Sequence, residues 1–324
     1  MICCDFHVLI ADIIMKNRAI SLFVGAGFSK WAANLPLANQ LFDFDIAGLS
    51  QRDSHRLELV RSDWQRWLAQ NPNQTAEQFI YWSLNTSSHR RSRVTWYITR
   101  RLSESFMTRI QGNFATMMID DRKAREDQGT LRAKSFLSMI ERPKLSGIVT
   151  PNYDMLIEFA LGTSGFNYGE VGEYLEGRGH NPQFPWQNRP VFVTGDIPLA
   201  KLHGSLSWDR ACKWTDGKPG RIGNALIVPP APEKEAPASL ANVWNLAETI
   251  LSESTELIVF GFAFNPYDEA LLRFLSASGA QLKRVLIVDP YPKRRAAKDL
   301  WSQARISVIT DLVDPLPHIR RWLS

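Results

Sequence analysis

The chain has 324 residues, 44% of them apolar and 22% charged, with 38 Lys/Arg against 33 Asp/Glu for a formal charge of +5. These proportions are ordinary for a globular protein and exclude a disordered, collagenous or coiled-coil chain. A chain this long buries enough surface to fold without disulfide staples, and its three cysteines, Cys3, Cys4 and Cys212, make neither a disulfide framework nor the paired CxxC ligands of a zinc ribbon.

A reducing, cytoplasmic setting is expected. The apolar stretch Val8 to Met15 is interrupted by Asp12 and has no basic leader. The longest uncharged apolar run, Leu257 to Phe264, is too short for a bilayer, so no membrane partner is expected.

The first predicted element is a helix between Asp5 and Lys16, with Phe6, Leu9, Ile10, Ile13 and Ile14 on one face. Ala19 to Val24 then reads as a buried strand running into Gly25-Ala26-Gly27-Phe28-Ser29 and a second helix, so residues 1–44 form a first βα unit. Residues 45–142 hold no convincing strand. Helix-compatible runs at His55 to Ala69, Thr75 to Leu84, Val94 to Arg109 and Thr130 to Ile140 predict an all-helical insertion lobe there. Thr86 to Lys144 carries thirteen Lys/Arg against six Asp/Glu. A solvated helical face is the ordinary reading. Arg90, Arg91, Arg93, Arg100 and Arg101 around Trp96 and Tyr97 offer the alternative of a surface for nucleic acid or an acidic partner.

From 143 to 324, strands and helices alternate. Strands are predicted at Leu145 to Thr150, Val191 to Thr194, Leu199 to His203, Ala225 to Val228, Glu256 to Phe260, Arg284 to Val288 and Ile306 to Ile309. Helices are predicted at Asp154 to Leu161, Ser239 to Ser252, Tyr267 to Ser278, Lys293 to Ala304 and Pro315 to Leu323, with irregular chain over Gly162 to Pro190. Apolar strands alternating with amphipathic helices imply a parallel sheet covered on both faces. The fold expected is a single α/β domain, a doubly wound and mostly parallel Rossmann-like sheet with the helical lobe inserted after the first βα unit.

Five strand ends carry residues suited to chemistry. Gly25, Ala26 and Gly27 open a helix, where glycines allow close backbone approach and free N–H groups attract a phosphate. Lys30 stands where the dinucleotide fingerprint has its third glycine, so a tight packing turn explains the pair equally well. Asp43 and Asp45 lie near the usual ribose-binding distance but no strand leads to them, and they are discarded. Asn152 and Asp154 follow a strand and precede a helix, a place for ligand contacts or for capping. His203 in Lys201-Leu-His-Gly-Ser205 is a candidate general base or acid; His7, His55, His89, His180 and His318 have no comparable context. Gly261, with Asp268 beyond it, and Asp289 complete the set, the last as an acceptor for ribose hydroxyls.

The order Gly25-Ala-Gly-Phe-Ser29, Thr150-Pro-Asn-Tyr-Asp154, Leu202-His-Gly-Ser205 and Gly261-Phe-Ala with Asp268 resembles the sirtuin superfamily. More closely it is similar to the sirtuin-like NADase branch of bacterial antiphage defence proteins. That resemblance implies NAD as substrate and no metal. It implies a phosphate cradle at Gly25, Ala26 and Gly27 with Ser29 close by. Asn152 would orient an attacking water, Asp154 would hold the carboxamide or a ribose hydroxyl, and His203 would be the general base. Gly261 and Asp289 would line the adenosine side. It further implies a homo-oligomer and a separate activator or sensor, such as a helicase-like ATPase or an Argonaute-type protein.

Departures narrow the expectation. Cys212 stands alone where sirtuin deacetylases carry paired cysteines, Leu35-Pro-Leu-Ala38 replaces their Pro-Asp-Phe-Arg segment, and Ala263 replaces a serine or threonine. The expected function is therefore hydrolysis of NAD to nicotinamide and ADP-ribose by a regulated, NAD-depleting effector. The alternatives are an NAD-dependent deacylase or ADP-ribosyltransferase, and a non-catalytic NAD or ADP-ribose sensor that binds nucleic acid through the basic lobe.

Overall fold

The computed structural model describes residues 20–43, 49–110, 128–162, 164–169, 195–209, 225–228 and 240–324. The helix expected over Asp5 to Lys16, the β run at Val191 to Thr194 and Cys212 lie outside them. Nine strands are described: β1 (Ile20–Val24), β2 (Leu145–Thr150), β3 (Phe166–Asn167), β4 (Ile197–Lys201), β5 (Gly204–Asp209), β6 (Ala225–Ile227), β7 (Glu256–Phe260), β8 (Arg284–Val288) and β9 (Arg305–Ile309). Seven of them form one sheet in the order β3-β4-β2-β1-β7-β8-β9, and every pairing within it is parallel. Strands β5 and β6 make a separate antiparallel pair.

All residues of β1 and β2 are buried, on both alternating faces, as a sheet covered on both sides requires. The helices that cover it are α1 (Ala26–Ala33), α5 (Gln128–Leu137), α6 (Leu156–Leu161), α7 (Ala241–Ser252), α8 (Glu269–Ser278), α9 (Arg294–Leu300) and α10 (Leu316–Leu323), while α2 (Gln51–Gln70), α3 (Ala76–Thr86) and α4 (Ser88–Ile110) belong to the insertion. Helix α7 packs on β2 and β4, and α5 packs between α1 and α6. The doubly wound, mostly parallel α/β architecture is thus what the alternating sequence pattern specifies.

The chain passes from β1 to its neighbour β2, on to the edge strand β3, back to β4 between β3 and β2, and then crosses to place β7 on the other side of β1. That reversal is a topological switch point, where the loops leaving neighbouring strands diverge and open a crevice at their carboxyl ends. The reversal falls between β1 and β7.

The insertion has an apolar core of its own. Leu57, Val60 and Trp67 of α2, Phe79 and Ile80 of α3, and Val94, Trp96, Tyr97 and Ile98 of α4 are buried together with Leu41 and Phe42. Helix α5, although within residues 45–142, instead buries Ala133, Phe136 and Leu137 in the core of the sheet. Two caps set the helix starts: Ser50 accepts from the Asp53 N–H at 3.2 Å, and Thr75 and Gln78 form a reciprocal capping box.

Four arginines of the basic run are engaged inside the lobe. Arg90 and Arg93 both reach Asp63, at 3.3 and 2.9 Å, Arg101 pairs with Asp43, and Arg91 donates to the Leu84 carbonyl at 2.7 Å. Trp96 and Tyr97 are core residues and present no ring at the surface. Among the described residues no helix is long and apolar enough to cross a membrane.

Candidate active site

Gly25 caps α1, and its N–H donates to the Phe260 carbonyl at 2.9 Å. The Gly27 N–H donates to the Gly261 carbonyl at 2.8 Å. A Cβ on Gly25 would stand 2.5 Å from the Gly261 oxygen, and one on Gly27 would stand 2.6 Å from the Gly261 Cα. Gly261 itself has φ +66°, a left-handed conformation that favours glycine, and a Cβ there would meet the Phe28 nitrogen at 2.2 Å. The three glycines therefore interlock the ends of β1 and β7 backbone to backbone. The amides of Gly25 and Gly27 are spent on that packing, and that of Gly261 on the Val288 carbonyl of β8. Among the described residues, the exposed Ala26 carries the first-turn N–H with no backbone acceptor, so the anion-attracting end of α1 is presented there.

Below this turn, the end of β2 is cross-braced to α1. Thr150 Oγ1 donates to the Val24 carbonyl at 2.6 Å and accepts from the Asn152 N–H at 3.0 Å. Asn152 is buried, and its Nδ2 donates to the Gly25 carbonyl at 2.9 Å and to Ser29 Oγ at 3.1 Å. Ser29 Oγ in turn donates to Asp154 Oδ2 at 2.8 Å, while Asp154 Oδ1 accepts from the Leu156 N–H at 3.0 Å. Both protons of the Asn152 amide are used, which leaves its Oδ1 as the group able to accept a bond from a water. Asp154 serves both the start of α6 and the Ser29 hydroxyl.

A buried ion pair supports this segment from behind. Lys201, at the end of β4, and Glu158, on α6, are both wholly inaccessible, with Nζ 2.6 Å from Oε1. Lys201 also donates to the Asp154 carbonyl, and Tyr168 OH donates to the same Glu158 oxygen at 3.0 Å.

Strand β4 ends at Lys201, two residues earlier than the sequence pattern implies, and His203 lies in the turn that follows. Gly204, at φ +83°, turns the chain directly into β5. His203 Nε2 lies 3.4 Å from Asp268 Oδ2, and the two side chains are only 4% and 7% exposed. The expected helix start at Tyr267 is a 3-10 turn, Pro266–Asp268, ahead of α8. Asn265 caps it by accepting from the Tyr267 N–H at 3.0 Å, and Asp268 thereby faces His203.

Tyr153, between Asn152 and Asp154, has its ring 6.3 Å from that of His203 and donates its hydroxyl to the Val228 carbonyl at 3.1 Å. Burial first, then the negative charges of Asp268 and Glu77, push its ionisation above the ordinary tyrosine range, so it stays a neutral donor. Glu77 comes from α3 in the lobe, and its neighbour Gln78 donates to the Tyr267 hydroxyl. Asp289 lies just past β8, half-buried, and accepts from the Tyr291 N–H at 2.8 Å; burial holds its carboxyl above the usual carboxylate range, opposed by that bond and by Lys293.

The structure therefore joins Gly25, Gly27, Ser29, Asn152, Asp154 and Gly261 in one hydrogen-bonded cluster. His203 adjoins it through Tyr153, and Asp289 stands apart at the next strand end. Tyr153 and Glu77 are additions, and Asp268, named in the sequence beside Gly261 without a role, stands against His203. Asp268 and Tyr153 lay inside motifs visible in the sequence, whereas nothing in the helical pattern of α3 marked Glu77. Among the described residues there is no group of three or more His, Cys, Asp or Glu side chains that could hold a metal ion.

No protein-family model and no curated protein matches the chain. Solved structures similar in outline include one described under the mechanism and regulation of Sir2 enzymes, with 14% identity, TM-score 0.44, and 96% of this chain and 94% of that one covered. Another is a triple mutant of a Sir2 homologue with 2′-O-acetyl ADP-ribose, with 14% identity, TM-score 0.45 and coverage of 96% and 95%. A third is a Sir2 homologue in complex with NAD, with 15% identity, TM-score 0.41 and coverage of 96% and 93%. At such values the likeness carries no weight for the chemistry of this site.

Proposed function

We propose that the chain hydrolyses NAD at the bond between nicotinamide and ribose. The observation that carries this reading is the braced Asn152–Ser29–Asp154 cluster with the His203–Asp268 pair beside it across Tyr153, at the switch point of a parallel sheet. Cleavage passes through an oxocarbenium-like ribose, so it needs a positioned water and charge stabilisation more than a strong nucleophile. Water adds at the anomeric carbon as the bond to the pyridinium nitrogen breaks. The bonding pair goes to that nitrogen, which leaves as neutral nicotinamide. Asn152 Oδ1 accepts a hydrogen bond from the water, and His203 takes its proton while Asp268 steadies the imidazolium. Asp154 acts through Ser29 and Asn152, and the Ala26 N–H at the start of α1 receives a phosphate oxygen. Asp289 accepts from the adenosine ribose.

The sequence resemblance supports placing this activity in an NAD-depleting effector of antiphage defence, oligomeric and restrained until a partner releases it. The test follows nicotinamide and ADP-ribose by chromatography for the wild type, His203→Ala and Asn152→Ala, with NAD binding measured on the same samples. Product from the wild type and from neither variant is expected. Undiminished turnover in both variants overturns the site, and the absence of both binding and turnover in the wild type overturns the reading itself.

A further inference from the structure

A cleft of about 440 Å³ opens in the helical lobe, between the end of α2, helix α3 and Tyr267. Its ten lining residues include the indoles of Trp67 and Trp82, the carboxamides of Gln70, Gln74 and Asn85, and Tyr267. Five of the ten are Asn or Gln, four are aromatic, and none carries a charge near neutral pH.

That composition selects a chemical class. A phosphate or carboxylate ligand calls for a cation or a row of free N–H groups, and no Lys, Arg or His lines the cleft. A guanidinium does lie beside it, that of Arg90, 4.3 Å above the Trp82 ring, but its charge is paired with Asp63. A purely apolar ligand would leave the carboxamides of Gln70 and Gln74 and the Asn85 carbonyl oxygen facing hydrocarbon, which costs free energy for every unmatched polar group. What fits both halves of the wall is a neutral ring whose edge presents donors and acceptors side by side. A carboxamide meets the edge of a nucleobase with paired donor and acceptor, and aromatic rings stack on its face. Among the described residues Gln70 and Gln74 have no side-chain hydrogen bond within the protein, so both can turn to a ligand. Asn85 already gives one N–H to the Tyr81 carbonyl, at 3.0 Å, and keeps its carbonyl oxygen.

We propose that this cleft binds an uncharged nucleoside, with its base against the partly exposed Trp82 indole and its hydrogen-bonding edge read by Gln70, Gln74 and Asn85. The site is separate from the NAD reaction site, and its occupancy stands whether or not the chain hydrolyses NAD. Tyr267 lies between the two. Its hydroxyl accepts from Gln78 at the cleft wall, and the next residue, Asp268, faces His203.

The experiment titrates the full chain with adenosine, guanosine, cytidine and uridine, following tryptophan fluorescence, which Trp67 and Trp82 carry into the cleft, and equilibrium dialysis in parallel. Saturable binding of at least one nucleoside with Kd below about 1 mM is expected. Its 5′-monophosphate should bind at least about tenfold more weakly, because a dianion meets no cation in the wall. Gln70→Ala and Gln74→Ala, both at exposed positions, should each weaken the nucleoside about tenfold with Tm unchanged, and Asn152→Ala should leave it as in the wild type. No saturable binding of any of the four overturns the proposal. So does a monophosphate that binds as tightly as its nucleoside, or binding unmoved by either glutamine substitution. A neutral disaccharide that saturates the cleft where nucleosides do not also overturns it.

Discussion

The buried Lys201–Glu158 pair allows the sharpest test of how the site is supported. The two charged atoms lie 2.6 Å apart and neither side chain is accessible. With an effective dielectric constant of about 20, their gross attraction is about 6 kcal/mol, most of which offsets the desolvation of the two ions. Lys201→Met removes only one of them. Glu158 is then a buried carboxylate held by Tyr168 alone, and the native state should lose about 3–5 kcal/mol. In Lys201→Met/Glu158→Gln both charges are gone and the shapes are nearly kept. That double variant should lose only about 1–2 kcal/mol, mainly through the hydrogen bond from Nζ to the Asp154 carbonyl. Urea unfolding of the wild type, both single variants and the double variant gives the coupling directly, expected to exceed about 2 kcal/mol. A single-site loss below about 1 kcal/mol, or losses that add within about 0.5 kcal/mol, would refute the claim that the charges depend on each other.

Three further outcomes follow from the geometry. Gly261→Ala forces a Cβ to within 2.2 Å of the Phe28 nitrogen from a left-handed backbone, and should cost about 2–4 kcal/mol in urea unfolding while abolishing NAD binding; a native-like midpoint would show that the loop can open freely. Asp268→Asn should lower kcat for nicotinamide release by about 10²-fold or more with KM nearly constant, and should displace the acidic limb of the pH profile; a change confined to KM would assign Asp268 to substrate binding instead. Asp289 has its carboxyl raised above the ordinary 3.8, so the folded state keeps a proton that the unfolded chain releases. Its contribution to stability therefore falls as pH rises from that ordinary value through the raised one, and Asp289→Asn should flatten the decline in Tm over that window. Parallel Tm curves for the two proteins would contradict the burial argument.

Interior strands were the most legible part of the fold. Leu145–Thr150, Glu256–Phe260 and Arg284–Val288 were delimited at both ends, because a strand buried on both faces reads as an unbroken apolar run between polar turns. Phe166–Asn167 leaves no signal in the sequence, since two residues are too short to show a period. Strand β5 was hidden differently. Leu206 and Trp208 do alternate with polar residues, but the His-Gly motif drew the strand boundary to His203, where the structure has a turn. The glycine loop shows why motif and role separate. A spacing that lets a phosphate approach also lets another backbone approach, and only the Gly261 carbonyl, 234 residues after Gly27 in the chain, shows which use claims the Gly27 amide. Asn152 and His203 could be singled out because each lies two residues past the end of an apolar strand. Glu77 could not, because it reaches the site through the packing of an inserted lobe against the sheet, which leaves no mark on local sequence.

The aromatic core of the lobe gives the protein an optical handle on its own cooperativity. Trp64 and Trp67 stack with ring centres 5.8 Å apart and planes 16° from parallel, and Phe42 stacks on Trp64 at 4.6 Å. Indoles held this close and this rigidly couple their transitions, so they should dominate the near-ultraviolet circular dichroism. The sheet's own tryptophans sit in tilted or edge-on pairs, such as Trp301 with Phe264 at 74° and Trp244 with Phe274 at 73°. Loss of the lobe's packing would then erase the near-ultraviolet signal while the far-ultraviolet signal of the parallel sheet persists. The two spectral regions thus read out separately the unit that carries the Rossmann-like core and the unit that leans over its reaction site.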